Sequence, residues 1–131
     1  MRSIIPVIPT ADLYIDRAQA SLERYDYGRA SNQLKIALTL NVELSQRVYI
    51  VSQLAFIYEA MGQYQQAVEI LKTLSTHTYQ VCPELAYFMA SAYAFLEDTY
   101  HSQKYLQQYL ASGDRDYYDE ALALQQQLAI R

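Results

Sequence analysis

The stretch VSQLAFIYEAMGQYQQAVEIL, from Val51 to Leu71, decides the predicted fold of this chain. Small and large apolar residues recur along it at helical spacing, and Gly62 interrupts the pattern near its middle. Glycine readily adopts the backbone conformation that a tight turn after a helix requires. The stretch therefore predicts two helices, over about 42–61 and 64–75, joined by a turn at Gly62.

Five residues of this stretch have the spacing of a tetratricopeptide repeat, which the sequence therefore resembles. They are Leu54, Ala55, Tyr58, Ala67 and Leu71. In that family, small residues let the two helices of a hairpin cross closely and large residues fill the seam. The resemblance implies an all-α, right-handed superhelix of three hairpins and a C-terminal capping helix, about seven helices in all. It covers about 11–111 and is strongest over 48–110.

Helical patterns also precede and follow the central stretch. They predict helices over about 11–24, 28–40 and 83–96, a sixth that ends near 111, and a last one over about 116–130. Thr10, Asn41 and Asp98 with Thr99 are the predicted N-caps, and Thr76–Gln80 breaks the helical period. The predicted organisation is an N-terminal arm over 1–10 and a single domain over 11–131. Its repeats cover about 11–40, 48–75 and 83–111, and the capping helix covers about 116–130.

The three repeats are not equally regular. Ala18 and Ala90 align with Ala55, so neighbouring repeats are offset by 37 and 35 positions. Arg17 and Ser21 stand where the family usually has Leu and Tyr. The first repeat is therefore degenerate, as terminal repeats often are, because one of their faces meets solvent.

Composition favours one folded helical domain. Of 131 residues, 52% are hydrophobic and 18% are charged, which argues against disorder. Three glycines and three prolines are few for a β protein, whose many turns require such residues. The chain has 14 tyrosines and no tryptophan, and tyrosine suits both helix seams and binding surfaces.

Charge and targeting signals narrow the class of partner and the compartment. The net charge is −4 and the basic residues are scattered, whereas nucleic-acid binding requires clustered Lys and Arg. A lone cysteine, Cys82, is compatible with a reducing compartment. The start of the chain has no signal-like apolar run, and no 18-residue apolar run follows. We expect a soluble, cytoplasmic protein without membrane insertion.

Two groups of residues suggest chemistry, but neither supports a site. Cys82 has histidine nearby in the sequence at His77, and His101 lies further along, but no third group would orient a base. The acidic residues from Asp114 to Glu120 suggest a calcium loop, but this stretch lacks the glycine and the final glutamate that such a loop requires. The better interpretation is that these acids lie near a helix N-terminus, where the helix dipole favours them. Two histidines do not make a zinc site, and no phosphate-binding loop is present. We predict no enzyme, no metal and no cofactor.

The family resemblance implies a concave groove that is aromatic and nearly uncharged. The groove positions carried over from the family are Ile15, Gln19, Leu22, Tyr49, Ser52, Phe56, Glu59, Tyr87, Ser91, Ala94 and Phe95. Family members that grip the C-terminal carboxylate of heat-shock chaperones place Lys, Arg and Asn at such positions. This sequence does not, which excludes that clamp.

An apolar groove suits an amphipathic helix or hydrophobic segment of a partner protein, held by an adaptor or chaperone. Size, repeat count and groove also resemble the small chaperones of type III secretion. Two alternatives remain open. The last helix or the arm residues 4–8 could fill the groove, or the protein could be a self-associating scaffold, with a homo-oligomer possible.

Overall fold

A computed structural model describes residues 9–130, which form eight α-helices and no strand. The helices are α1 (Ala11–Glu23), α2 (Tyr27–Thr39), α3 (Leu44–Ala60), α4 (Tyr64–Leu71), α5 (Thr76–Val81), α6 (Glu84–Phe95), α7 (Thr99–Ala111) and α8 (Tyr118–Ile130). The predicted all-α fold class is confirmed, with eight helices where about seven were predicted. Most of the predicted N-terminal arm, including residues 4–8, lies outside the described residues.

The chain forms two compact units that meet in sequence between Ile50 and Val51, within α3. In the first unit α1 packs against α2. In the second unit α6 packs against α4, α5, α7 and α8, and α7 also packs against α8. The buried face of α6 includes Leu85, Met89 and Tyr93, so this helix is the centre of the second unit. The single domain over 11–131 stays a prediction.

Three hairpin turns share one backbone geometry. Tyr25, Gly62 and Glu97 have φ angles of 58°, 75° and 60°. In each turn the next amide donates to a carbonyl five residues back, as from Gln63 to Tyr58 at 2.7 Å. This is the Schellman arrangement that satisfies the last carbonyls of a helix. The turns lie 37 and 35 positions apart, as the sequence alignment predicts.

Gly62 should tolerate alanine poorly for a purely local reason. A Cβ there would meet no atom within 4 Å, but the left-handed backbone disfavours any side chain. We expect Gly62→Ala to lower the free energy of unfolding by about 1 kcal/mol. Gly28→Ala is the matched control, since Gly28 lies in α2 with equally open surroundings and should gain about 0.5 kcal/mol. Urea unfolding measures both, and a shared sign would contradict the assignment.

The predicted N-caps Thr10 and Asp98 are confirmed. Thr99, predicted together with Asp98, is instead the first residue of α7. Thr10 Oγ1 accepts from the Leu13 amide at 3.2 Å, and Asp98 Oδ1 accepts from the His101 amide at 3.1 Å. The predicted cap at Asn41 is wrong because α3 begins only at Leu44.

A glutamine replaces the predicted cap of α3. The Glu43 amide donates to Gln46 Oε1 at 2.9 Å, so a side chain from inside the first turn satisfies the amide just before the helix. Gln46 Nε2 also donates to Asp12 Oδ1 at 2.8 Å. Both hydrogen bonds lie in the first unit, and they fix the start of α3 against α1.

The prediction that Thr76–Gln80 breaks the helical period is wrong, since α5 occupies this stretch. Helix α4 accordingly ends at Leu71 rather than near 75. Ser75 Oγ accepts from the Thr78 amide at 3.2 Å and caps the short helix. The Tyr79 hydroxyl donates to the Leu71 carbonyl at 2.7 Å, in a buried position. A cap and one tertiary hydrogen bond therefore outweigh the weak helix propensity of the β-branched residues.

Small buried residues recur at the same place in every repeat. Ala18, Ala55 and Ala90 are each at most 2% exposed. In the third repeat the partner across the seam is Ser102, whose hydroxyl donates to the Ala90 carbonyl at 2.8 Å. Because the residues at this crossing are small, a side-chain hydroxyl of one helix can reach the backbone of the other.

Candidate functional site

The second unit has an open cavity of about 470 Å³, here named the aromatic cavity. It is lined by Ser52, Gln53, Ala55, Phe56 and Glu59 of α3, by Tyr87, Phe88 and Ser91 of α6, and by Tyr117 just before α8. Four of these nine residues are aromatic, and one is charged. The cavity can therefore accept apolar groups along most of its wall.

A second open cavity, of about 360 Å³, continues the same surface and is here named the α8 cavity. Its walls come from α6 and α8, and it is lined by Tyr87, Ser91, Ala94, Phe95, Glu120, Ala123, Leu124 and Gln127. Tyr87 and Ser91 line both cavities. The two cavities together form a groove along α6, and the last helix is one wall of this groove.

Similarity to a known protein agrees with the all-helical fold. No protein-family model matches the sequence. The TPR repeat-containing protein YvcD of Bacillus subtilis is 29% identical over 93 residues, which are 71% of this chain and 19% of that protein. The chain is similar to a tetratricopeptide repeat protein. The predicted resemblance is confirmed, and the chain spans about a fifth of the length of this relative.

Seven residues predicted from the repeat pattern lie together along this groove. They are Ser52, Phe56, Glu59, Tyr87, Ser91, Ala94 and Phe95. Phe56 and Phe95 are 56% and 51% exposed, which is unusual for phenylalanine in a folded protein. Their role in binding a partner stays a prediction.

The other four predicted groove residues belong to the first unit. Gln19 Nε2 donates to the Tyr49 hydroxyl at 2.6 Å, so two of them contact each other directly. Ile15 and Leu22 lie on α1 and are partly exposed. Their predicted role in binding is untested as well.

Sequence reasoning missed Tyr117. It left open whether the last helix fills the groove, and α8 forms one wall of it. The Tyr117 ring stacks on Tyr87, with centroids 5.1 Å apart and planes 11° apart. Phe88 meets the edge of the same stack, 5.1 Å from Tyr117 at 75°. The repeat pattern ends before Tyr117, so it contained no signal for this contact. The three rings form a preorganised wall of the aromatic cavity.

A buried hydroxyl fixes Tyr117 in this position. The Tyr109 side chain is fully buried, and its hydroxyl donates to Asp114 Oδ2 at 2.7 Å. The same hydroxyl accepts from the Tyr117 amide at 2.7 Å. Burial, together with the hydrogen bond to Asp114, raises the pKa of Tyr109 to about 12. The loop before α8 is therefore anchored to α7 at one atom.

Phe95 is held by a stacked partner outside both cavities. Its ring lies 4.6 Å from that of Tyr64, with planes 5° apart. Tyr64 is the first residue of α4. One face of Phe95 is thus covered, and the exposed half of the side chain lines the α8 cavity.

Glu59 is the charged residue of the aromatic cavity. Its side chain is half-buried, and no hydrogen bond or ion pair to its carboxylate occurs within residues 9–130. Burial raises the pKa of Glu59 from 4.5 to about 7. A neutral carboxyl group and a carboxylate are therefore both accessible to this side chain near neutral pH.

Cys82 and His101, the candidates for catalysis, lie in surroundings that favour a structural role. Burial, with the nearby Glu84, raises the pKa of the Cys82 thiol, which favours the less reactive neutral form. His101 Nδ1 lies 2.8 Å from Asp98 Oδ2 and its ring stacks on Tyr93. No group of three or more His, Cys, Asp or Glu side chains that could hold a metal ion occurs among the described residues.

The acids before α8 serve the local backbone. Asp114 Oδ2 accepts from the Asp116 amide at 3.2 Å in addition to the Tyr109 hydroxyl. Asp119 and Glu120 lie in the first turn of α8, where the helix dipole favours negative charge. The sequence analysis interpreted these residues as acids near a helix N-terminus rather than as a calcium loop, and they lie at the start of α8.

Within the part of the chain that the structure describes, no helix combines the length and the apolar character that a membrane span requires.

Proposed function

We propose that this protein binds a segment of a partner protein in the groove formed by the aromatic cavity and the α8 cavity. The observation that carries the proposal is the pair of exposed phenylalanines, Phe56 and Phe95, on a surface that is already ordered. A preorganised apolar groove loses little conformational entropy when a ligand binds. Resemblance to a tetratricopeptide repeat protein supports a role in protein–protein interaction.

The size and shape of the groove suit an amphipathic helix or another apolar segment. Each cavity is large enough for several side chains, and Ser91 and Ala94 between the aromatic residues are small. Small residues allow a bound backbone to approach α6, while aromatic side chains provide the anchoring pockets. The proposed role is that of an adaptor or chaperone in the cytoplasm, and a type III secretion chaperone is one specific form of it.

Charge placed on the two exposed phenylalanines should abolish binding. We expect the double variant Phe56→Glu, Phe95→Glu to lose at least about 100-fold in affinity, because two apolar contacts become buried carboxylates. The measurement is cross-linking in the source cells to identify the partner, followed by titration of the purified partner against the purified variants. Circular dichroism checks that the helical content is retained.

A matched control uses exposed tyrosines outside the groove. Tyr25 and Tyr100 are 78% and 72% exposed and line neither cavity. The double variant Tyr25→Glu, Tyr100→Glu should keep the wild-type affinity. Retained binding by the phenylalanine variant would overturn the proposal. A concentration-dependent oligomer in light scattering, disrupted by the same phenylalanine variant, would favour the self-associating scaffold instead.

A further inference from the structure

The charges around the groove have one sign. Glu59 lines the aromatic cavity and Glu120 lines the α8 cavity, and no lysine or arginine among the described residues lines either one. The whole chain is also acidic, with a net charge of −4. A partner segment that enters this groove therefore meets acidic groups and no basic ones.

The aromatic cavity surrounds Glu59 with groups that attract cations. Its rings are Phe56, Tyr87, Phe88 and Tyr117. The negatively polarised faces of such rings attract ammonium and guanidinium groups. Pairs of this kind occur elsewhere in the molecule, with cation-to-centroid distances of 4.8–5.8 Å, between Arg17 and Tyr14, Lys72 and Tyr93, and Arg115 and Tyr118.

We infer that the aromatic cavity takes a lysine or arginine side chain from a basic, amphipathic segment of a partner protein, with Glu59 as its counter-ion. This inference rests on the proposed function and names the chemistry of its partner. The apolar stem of the basic residue would lie along Phe56, while its charged end reaches Glu59 between the rings. Apolar residues on the same face of the segment would occupy the α8 cavity.

The state of Glu59 in the free protein agrees with this assignment. Its carboxylate is half-buried without a partner in the described part of the chain, and burial raises its pKa to about 7. An incoming cation would stabilise the ionised form and lower this pKa. Binding of a basic segment near neutral pH should therefore ionise Glu59 and release its proton to solvent.

Two synthetic peptides can test the inference. Each is an 18-residue helical peptide of leucine, alanine and glutamine, with one central residue on the apolar face that is either lysine or its uncharged analogue norleucine. Fluorescence anisotropy at pH 8 measures the affinity of both. We expect the lysine peptide to bind wild-type protein about tenfold more tightly, as a desolvated cation among aromatic rings would.

Glu59→Gln separates the charge effect from the apolar contacts. This variant should bind both peptides alike, at the affinity of wild type for the norleucine peptide. Glu69→Gln is the matched control and should keep the tenfold preference, because Glu69 is exposed on α4 and lines neither cavity. Lowering the pH from 8 to 5.5 should remove the preference in wild type as Glu59 becomes protonated.

The outcomes distinguish this inference from the proposed function. Equal binding of both peptides to wild type, unchanged in Glu59→Gln, would overturn the basic anchor and leave a purely apolar groove. A preference for lysine that survives in Glu59→Gln would overturn the role of this residue. Failure of both peptides to bind wild type would overturn the inference too, while the phenylalanine variants decide separately on the proposed function.

Discussion

Replacing Tyr109 with phenylalanine should lower the free energy of unfolding by about 2 kcal/mol. The phenylalanine ring fits unchanged. However, the Tyr117 amide loses the oxygen that accepts its hydrogen bond, and Asp114 loses the hydroxyl that donates to it. Asp114 and Tyr117 are partly buried, and a desolvated polar group left without a partner costs more than an ordinary hydrogen bond contributes. Urea unfolding monitored by circular dichroism measures the change.

Tyr100→Phe is the control for this prediction. Tyr100 lies on α7 as well, but its side chain is 72% exposed, so its loss of a hydroxyl should cost less than about 0.5 kcal/mol. A similar loss in both variants would contradict the anchoring role of Tyr109. Tyr109→Phe should also weaken binding in the aromatic cavity, because the Tyr117 ring that forms part of the cavity wall is no longer fixed.

Removing the charge of Glu59 should change the pH dependence of stability. The folded state holds the Glu59 proton up to about pH 7, whereas the unfolded chain releases it near 4.5. The folded state thus binds more protons in this window, and the free energy of unfolding should fall as the pH rises through it. We expect a loss of about 2 kcal/mol, since partial exposure to water reduces the full effect of the shift.

Glu59→Gln stays neutral and should not show this loss. At pH 8 the variant should be about 2 kcal/mol more stable than wild type, and at pH 4.5 the two should be nearly equal. Tyr87, Tyr117 and Glu120 face the same groove and remain in both proteins, so their contributions cancel. Glu69→Gln, on the exposed face of α4, corrects for the change in net charge. Equal pH profiles for Glu59→Gln and wild type would show that the carboxylate is well solvated.

Local signals predicted the hairpins well. Gly62, the caps Thr10 and Asp98 and the buried alanines act within a few residues, so the sequence pattern carries them directly. The groove positions on α3 and α6 came from the family resemblance, and the side chains at these positions line the two cavities because residues three or four apart share a helix face. Their role in binding stays a prediction.

The features that were missed depend on contacts distant in sequence. Helix α5 relies on the hydrogen bond from Tyr79 to Leu71, and the place of Tyr117 relies on Tyr109. In the first repeat Ser21 replaces the usual tyrosine, and its hydroxyl donates to Gln33 Oε1 at 2.8 Å. A polar pair between two helices leaves no periodic trace in either segment, so pattern reasoning classed this repeat only as degenerate.

The stack of Tyr64 on Phe95 connects the opening stretch of the sequence to the α8 cavity. Tyr64 lines neither cavity, yet any occupant that touches Phe95 also changes the environment of the ring behind it. The chain contains no tryptophan, so Tyr64→Trp would introduce a single indole fluorophore at this position. The turn that marks the fold in the sequence thus also offers a place to observe the groove optically without labelling it.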